Sequence, residues 1–322
     1  MWQAETFDAT TIDRELSYAA SLGFNSVRTY LHDLLWKEDP QGFKDRISLF
    51  LDLAARHGIG VMFVLFDSCW HPVPALGPQP AAIPRVHNSA WVQGPGRDAL
   101  LNPDGYPHLK DYVTGLLRHF GGDSRVHAWD LWNEPNNLDA GAEFRPHLDP
   151  PNKRVLVRGL LSKVYSWARA AAPAQPLTSG VWGVHGWPDL ARVKPVERFQ
   201  LEHSDVISFH CYGTLQLVQM MVEQLSRLDR PVLCTEFLAR PFGSQFDPNL
   251  GYLRDRGVGA YCWGLVEGET QTIYPWDSWK KTYESEPSEW FHDIFYRNGM
   301  PFRTEEVDYI RAITGSRRGH SR

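Results

Sequence analysis

Several things are missing from this chain, and each absence narrows its class. No stretch is long and apolar enough to cross a bilayer; the longest apolar run, Ile59 to Phe66, has the length of a buried strand. The opening Met1-Trp2-Gln3-Ala4-Glu5 lacks the basic and apolar regions of a secretory leader, so a cytoplasmic location is expected by default. No charge of one sign dominates. Lys and Arg number 33 against 38 Asp and Glu, a net charge of -5, and the basic residues are spread along the chain. Neither a nucleic acid nor a membrane surface is expected as partner. Cysteine is scarce: Cys69, Cys211, Cys234 and Cys262 form no close metal-type pair. Each lies in or just after an apolar run, where a free thiol acts as a small buried hydrophobe. A cysteine nucleophile would need a histidine partner, and none is local.

What is present is a full complement for a globular fold. The 322 residues are 43% hydrophobic and 22% charged, enough to bury a sizeable core. Tryptophan is abundant, with 13 residues, many of them in expected loops. A large exposed ring is costly unless it packs or binds something, and the apolar CH faces of sugars stack on indole. A Trp-rich rim therefore suits a carbohydrate cleft, although most single Trp residues are core or loop anchors.

Two periodicities alternate along the chain. Apolar runs rich in Val, Ile, Phe and Tyr predict strands at 25–31, 59–67, 126–133, 176–182, 206–212, 231–237 and 258–265. Helical spacing predicts helices at 11–22, with Ile12, Leu16, Ala19 and Ala20 on one face, and at 41–57, with Phe43, Ile47, Phe50, Leu51 and Ala54. Further helices are predicted at 105–120 and 152–171, and shorter ones near 188–201, 214–228 and 247–256. Both faces of each strand look apolar, the mark of parallel strands covered by helices. A Gly-rich phosphate loop after the first strand would favour an open sheet, and none is found. Polar groups instead gather at the C-terminal ends of several strands, as in barrels. No linker divides the chain. The expected fold is α/β, a (β/α)8 barrel formed as a single domain over residues 1–322. Long loops at 68–104 and 266–287 are expected to shape its cleft.

Two strand ends carry the chemistry. Trp129-Asp130-Leu131-Trp132-Asn133-Glu134-Pro135 sets a carboxylate directly after a strand, and Val232-Leu233-Cys234-Thr235-Glu236-Phe237 sets another at the end of an apolar run. One acid kept protonated and one kept ionised is what glycosidic-bond cleavage requires. Either glutamate alone reads equally well as a salt-bridge partner or helix cap; the pair favours catalysis.

The Asn-Glu-Pro at 133–135 resembles the acid/base signature of glycoside hydrolase clan A, and the chain is most similar to cellulase-type members of family 5. In that clan an Arg lies on strand two, Asn-Glu at the end of strand four, a His and a Tyr on strand six, a Glu at the end of strand seven and a Trp on strand eight. Arg28, Asn133, Glu134, His210, Tyr212, Glu236 and Trp263 match in that order, across about residues 20–270. The resemblance implies a retaining β-glycosidase of polysaccharide degradation, acting on glucan, mannan or xylan-type saccharides without a cofactor. Glu134 is implied as acid/base and Glu236 as nucleophile. Arg28 and Tyr212 would hold Glu236, Asn133 would bind the sugar 2-hydroxyl, His210 would orient the network and Trp263 would floor the site.

Two departures follow from the same comparison. Only seven strands are found; if Arg28 lies on the second, the first is missing, and an incomplete barrel would be closed unusually, for example by a second copy of the chain. Many family members also have a His at the end of strand three. Here the segment reads Phe66-Asp67-Ser68-Cys69-Trp70-His71, so Asp67 or His71 is expected to take over its sugar contacts. Trp70, Trp91, Trp182, Trp187, Trp276 and Trp279 are candidate sugar platforms. Two other classes compete: a non-catalytic carbohydrate-binding barrel, and a metal-dependent hydrolase. The latter is disfavoured because His71, His87, His185 and His210 are scattered and no His-x-His pair ends a strand.

Overall fold

The computed structural model describes residues 1–137, 148–182 and 192–315. Helices and parallel strands alternate. The strands are β1 (Ser26–Tyr30), β2 (Gly60–Val64), β3 (Val126–Asp130), β4 (Leu177–Thr178), β5 (Ile207–His210), β6 (Val232–Phe237) and β7 (Gly259–Cys262). The helices are α1 (Ala9–Ser21), α2 (Asp33–Glu38), α3 (Pro40–Arg56), α4 (Arg97–Leu101), α5 (Tyr106–Phe120), α6 (Lys153–Ala171), α7 (Pro195–His203), α8 (Leu215–Leu225), α9 (Phe246–Asp255) and α10 (Thr304–Gly315). Helix starts follow their capping chemistry. Asp8 accepts from the amides of Thr10 and Thr11 at the start of α1, and Asp39 accepts from Gly42 at the start of α3. The expected apolar faces are the buried ones: Ile12, Leu16 and Ala19 in α1, and Phe43, Ile47, Phe50, Leu51 and Ala54 in α3.

All strand pairs are parallel. β1 to β4 form one sheet in chain order and β5 to β7 another. A single bridge from Val181 to Phe209 joins the two. This is the α/β arrangement of a (β/α)8-type barrel, with seven strands among the described residues. Residues 1–8 form no strand; instead Trp2 packs among Phe7, Phe43, Phe50 and Phe63 and its indole N–H donates to the Tyr30 carbonyl at 2.6 Å. β1 and β7 are not paired with each other.

The sequence reading gave every strand two covered faces, and here the structure differs. All five residues of β2 are buried, whereas every residue of β1 and β7 is only partly so. The cause is topological: β1 and β7 each have a hydrogen-bonded neighbour on one edge only. β4 is also shorter than expected, two residues of regular ladder followed by the Val181 bridge. No helix among the described residues is long and apolar enough to cross a membrane. The two long loops, after β2 and after β7, hydrogen-bond to each other over the C-terminal face, for example from the Asn88 amide to the Thr270 carbonyl at 2.7 Å.

Candidate active site

Strand periodicity assembles the site. In β1, residues two apart share a face, so Arg28 and Tyr30 project the same way. Asn133 and Glu134 follow β3, His210 ends β5 with Tyr212 just beyond, Glu236 sits near the end of β6, and Trp263 follows β7. Asn133, Glu134, His210 and Glu236 are all buried.

The two glutamates meet. One oxygen of Glu134, one oxygen of Glu236 and a nitrogen of His210 lie within 4.8 Å of one another. Glu236 Oε1 accepts from Arg28 Nη1 at 2.7 Å and from the Tyr30 hydroxyl at 2.8 Å; its Oε2 accepts from the Tyr212 hydroxyl at 2.6 Å. His210 Nδ1 is 2.6 Å from Glu134 Oε1 and 3.4 Å from Glu236 Oε2. Glu134 Oε2 accepts from Asn137 Nδ2 at 2.6 Å and from the Cys69 thiol at 3.2 Å. Glu134 has φ of 45°, a left-handed conformation that a residue with a Cβ adopts only when its surroundings impose it. The Asn137 amide bond to the Glu134 carbonyl, at 2.8 Å, helps to fix that turn.

Charge is handled asymmetrically. Burial pushes the Glu236 carboxyl upward, but His210, Arg28 and the Tyr212 and Tyr30 hydroxyls outweigh it and hold the group below its ordinary value. Arg28 is itself desolvated and compensated. Its Nε and Nη2 donate to Asp130 Oδ2 at 3.0 and 2.8 Å, and Nη2 also donates to Asn133 Oδ1 at 2.7 Å. The neighbouring Tyr30, Asp130 and Glu236 side chains keep the guanidinium charged well beyond its usual range despite burial. Burial raises the Tyr30 and Tyr212 phenols, so both remain hydrogen-bond donors.

Asp67 closes the next layer. Oδ1 accepts from Asn133 Nδ2 at 2.8 Å and from the Cys69 amide at 3.1 Å, and Oδ2 accepts from the Trp91 indole at 2.6 Å. Burial lifts its carboxyl to about 6. This revises the expected role of Asn133: one amide hydrogen belongs to Asp67, and Nδ2 faces the Cys69 sulfur at 3.6 Å. A sugar 2-hydroxyl would have to replace that weak thiol contact.

The aromatic candidates divide into groups. Trp263 meets Tyr30 and Trp91 with centroids 5.6 Å away in both cases, and Trp91 meets Tyr30 at 5.0 Å. Trp276 packs edge-on against Tyr212 at 5.4 Å. Trp70 stacks on Trp279 at 5.8 Å, next to His87. Trp70 is thus one ring removed from the rings around the carboxylates. The Trp182 indole N–H and His210 Nε2 are buried without a hydrogen-bond partner among the described residues. Gly180 is required beside that nitrogen, because a Cβ there would lie 2.7 Å from His210 Nε2. His71 Nδ1 accepts from the Val73 amide and its backbone pairs with Val92. Trp187, His185 and the start of the helix predicted at 188–201 lie outside the described residues.

Sequence reasoning passed over Tyr30, Asp130, Cys69, Asn137 and Gly180. Tyr30 and Asp130 were findable, since each shares a strand face or strand end with a candidate already named. Cys69 was read as an inert hydrophobe. Burial and neighbouring Asp67 and Glu134 do keep its thiol protonated, but that protonated thiol donates to Glu134. Among the described residues, Glu134, His210 and Glu236 are the one donor group close enough to hold a metal ion. Their oxygens are already engaged by Arg28, two tyrosines, Asn137 and Cys69, so a dication would compete with a resident guanidinium.

No protein-family profile matches the chain, and no curated protein matches it significantly. Solved structures do. The endo-1,4-beta-mannanase from Rhizomucor miehei superposes with a TM-score of 0.62 at 14% identity, covering 98% of this chain and 93% of that one. GH5_18 from Streptomyces cattleya in complex with GlcNAc gives a TM-score of 0.61 at 15% identity, covering 98% and 76%. The apo beta-glucosidase 1317 gives 0.58 at 14% identity, covering 95% and 88%. The fold is therefore shared with glycoside-cleaving enzymes.

Proposed function

We propose that the protein is a retaining β-glycosidase, active on β-linked glucan, mannan or xylan-type saccharides, with its catalytic domain spanning residues 1–322. The observation that carries this reading is the approach of Glu134 and Glu236 to within 4.8 Å in unequal surroundings. Carboxyl groups about 5–5.5 Å apart suit double displacement, whereas inversion needs room for a water and a separation of roughly 6.5–9.5 Å. The likeness in fold to mannanases and a β-glucosidase supports the same class.

Glu236, held ionised by Arg28, Tyr30 and Tyr212, attacks the anomeric carbon. Glu134 gives its proton to the departing glycosidic oxygen, so the bond to the leaving group breaks as the bond to Glu236 forms. Glu134 then takes a proton from water, whose oxygen displaces Glu236 and releases the sugar. His210 Nδ1, in reach of both carboxyls, orients the pair through both steps. Asn133 and Trp263 contact the sugar that is cleaved, with Asp67, Trp70 and Trp182 contributing to binding around it. A screen of 4-nitrophenyl β-glycosides tests the reading. Turnover of at least one sugar is expected in the wild type and is expected to be abolished in Glu236→Ala. Equal rates in the two proteins would remove Glu236 from the reaction. Sugar binding without turnover would instead favour a non-catalytic carbohydrate-binding barrel.

A further inference from the structure

The loops after β2 and β7 do more than flank the site; they are clasped to one another. The Asn88 amide donates to the Thr270 carbonyl at 2.7 Å, and Gln271 Nε2 donates to the Ile83 carbonyl at 2.8 Å. Arg85 Nη1 donates to the Tyr283 carbonyl at 3.1 Å. His87 is the centre of the clasp. Its amide donates to Ser278 Oγ at 3.0 Å, its Nδ1 donates to the Tyr274 carbonyl at 2.8 Å, and its own carbonyl accepts from the Trp279 indole at 2.9 Å. His87 is fully buried, and that burial drops its imidazole to about 4, so the ring is neutral near pH 7.

The inner face of the same clasp is aromatic. Trp91 from the first loop meets Trp263 at the root of the second, and both meet Tyr30, which donates to Glu236. Trp276 from the second loop packs on Tyr212, the other phenol on Glu236. The nucleophile is thus flanked by two aromatic groups, Tyr30 with Trp91 and Trp263 at one oxygen and Tyr212 with Trp276 at the other.

Chemistry gives this arrangement a direction. The leaving group departs past the acid that protonates it, so the aglycone lies on the Glu134 side. The opposite end of the cleaved sugar points away from Glu134. Asp67 stands beside Trp91: a carboxylate offers about four acceptor positions, and three are filled by Asn133, the Cys69 amide and Trp91. The fourth suits a hydroxyl of a chain-terminal sugar.

We infer, resting on the glycosidase reading, that Trp91, Trp263 and the clasped loops close the glycone side into a pocket for one sugar and that the enzyme is exo-acting. It would release single monosaccharides from the non-reducing ends of β-linked chains. The test uses the full chain and the sugar series that gives the highest rate as a 4-nitrophenyl monoside. Two reducing-end-labelled tetrasaccharides of that series are compared, one free and one capped at its non-reducing end by a 4-O-benzyl ether. The free chain is expected to shorten by one sugar at a time, and the capped chain to react at least 100-fold more slowly. Internal cleavage, or equal rates on capped and free chains, would overturn the exo inference while Glu236-dependent turnover left the glycosidase reading standing. Absence of Glu236-dependent turnover on every substrate, the monosides included, would overturn both.

Discussion

The surroundings of the two glutamates are built from different chemistry. Glu236 lies in a cage of one guanidinium and two phenols, every one of them a donor whose proton is locked on by its environment. Glu134 lies among an imidazole that it shares with Glu236, a carboxamide and a thiol, without a guanidinium of its own. The difference assigns roles. A cage with a permanent cation favours a carboxylate that must stay ionised, whereas surroundings without one tolerate a carboxyl that gains and loses a proton each cycle. The strands share the work in the same way. Arg28 is anchored from β1 by Asp130 at the end of β3, so the cation that serves Glu236 is itself pinned by the strand that carries Glu134.

The largest effect expected from this asymmetry concerns Glu134. Glu134→Ala should slow cleavage of sugar leaving groups roughly 10²–10⁴-fold. Release of dinitrophenol, which needs no proton, should lose far less in the first step. Pre-steady-state rates on both substrates check this, and equal losses on the two would mean that Glu134 is not the proton donor. Next comes the cationic cage. Arg28→Ala leaves Asp130 and Glu236 buried without their counter-charge and should destabilise the fold by about 3–5 kcal/mol; a loss under about 1 kcal/mol in urea unfolding would contradict a shared, desolvated cation.

A smaller, pH-dependent effect is expected behind Tyr212, where His292 lies 5.5 Å from the phenol ring and 5.3 Å from His87. Burial lowers both imidazoles, His87 from 6.5 to about 4. Between those values the unfolded chain binds a proton that folded His87 does not. Its contribution is therefore present above pH 6.5 and lost as pH falls toward 4, by at most about 3 kcal/mol. His87→Gln should flatten the pH dependence of the melting temperature over that window, and an unchanged slope would refute a neutral buried His87. The smallest effect belongs to the thiol. A Cys–carboxylate contact of 3.2 Å is weak, so Cys69→Ala should alter kcat/KM by less than about fivefold. A loss comparable to that of Glu134→Ala would show that the surroundings of Glu134 depend on sulfur.

Part of the site is legible because strands impose a period of two and barrels gather chemistry at one end. Glu134 and Glu236 follow from that rule, Arg28, His210, Tyr212 and Trp263 from the family resemblance, and Tyr30 and Asp130 obey the rule without having been named. Cys69, Trp91 and Asn137 were harder. They lie on loops, where no periodicity says which way a side chain turns, and their roles depend on a φ of 45° at Glu134 and on two loops meeting. The half-cover of β1 and β7 was also hidden, since apolar composition records that a strand can be buried but not whether a neighbour occupies each edge.

The central claim is that Glu236 becomes covalently bonded to the sugar while Glu134 handles the proton. Incubation with a 2-deoxy-2-fluoro β-glycosyl fluoride, which slows hydrolysis of the intermediate, followed by mass spectrometry of the intact chain and its peptides, tests it most directly. The account predicts a mass increase of one fluorosugar, carried on the peptide containing Glu236 and missing from Glu236→Ala. A label on another residue, or turnover of a reactive β-glycoside with inversion and no trapped species, would contradict it.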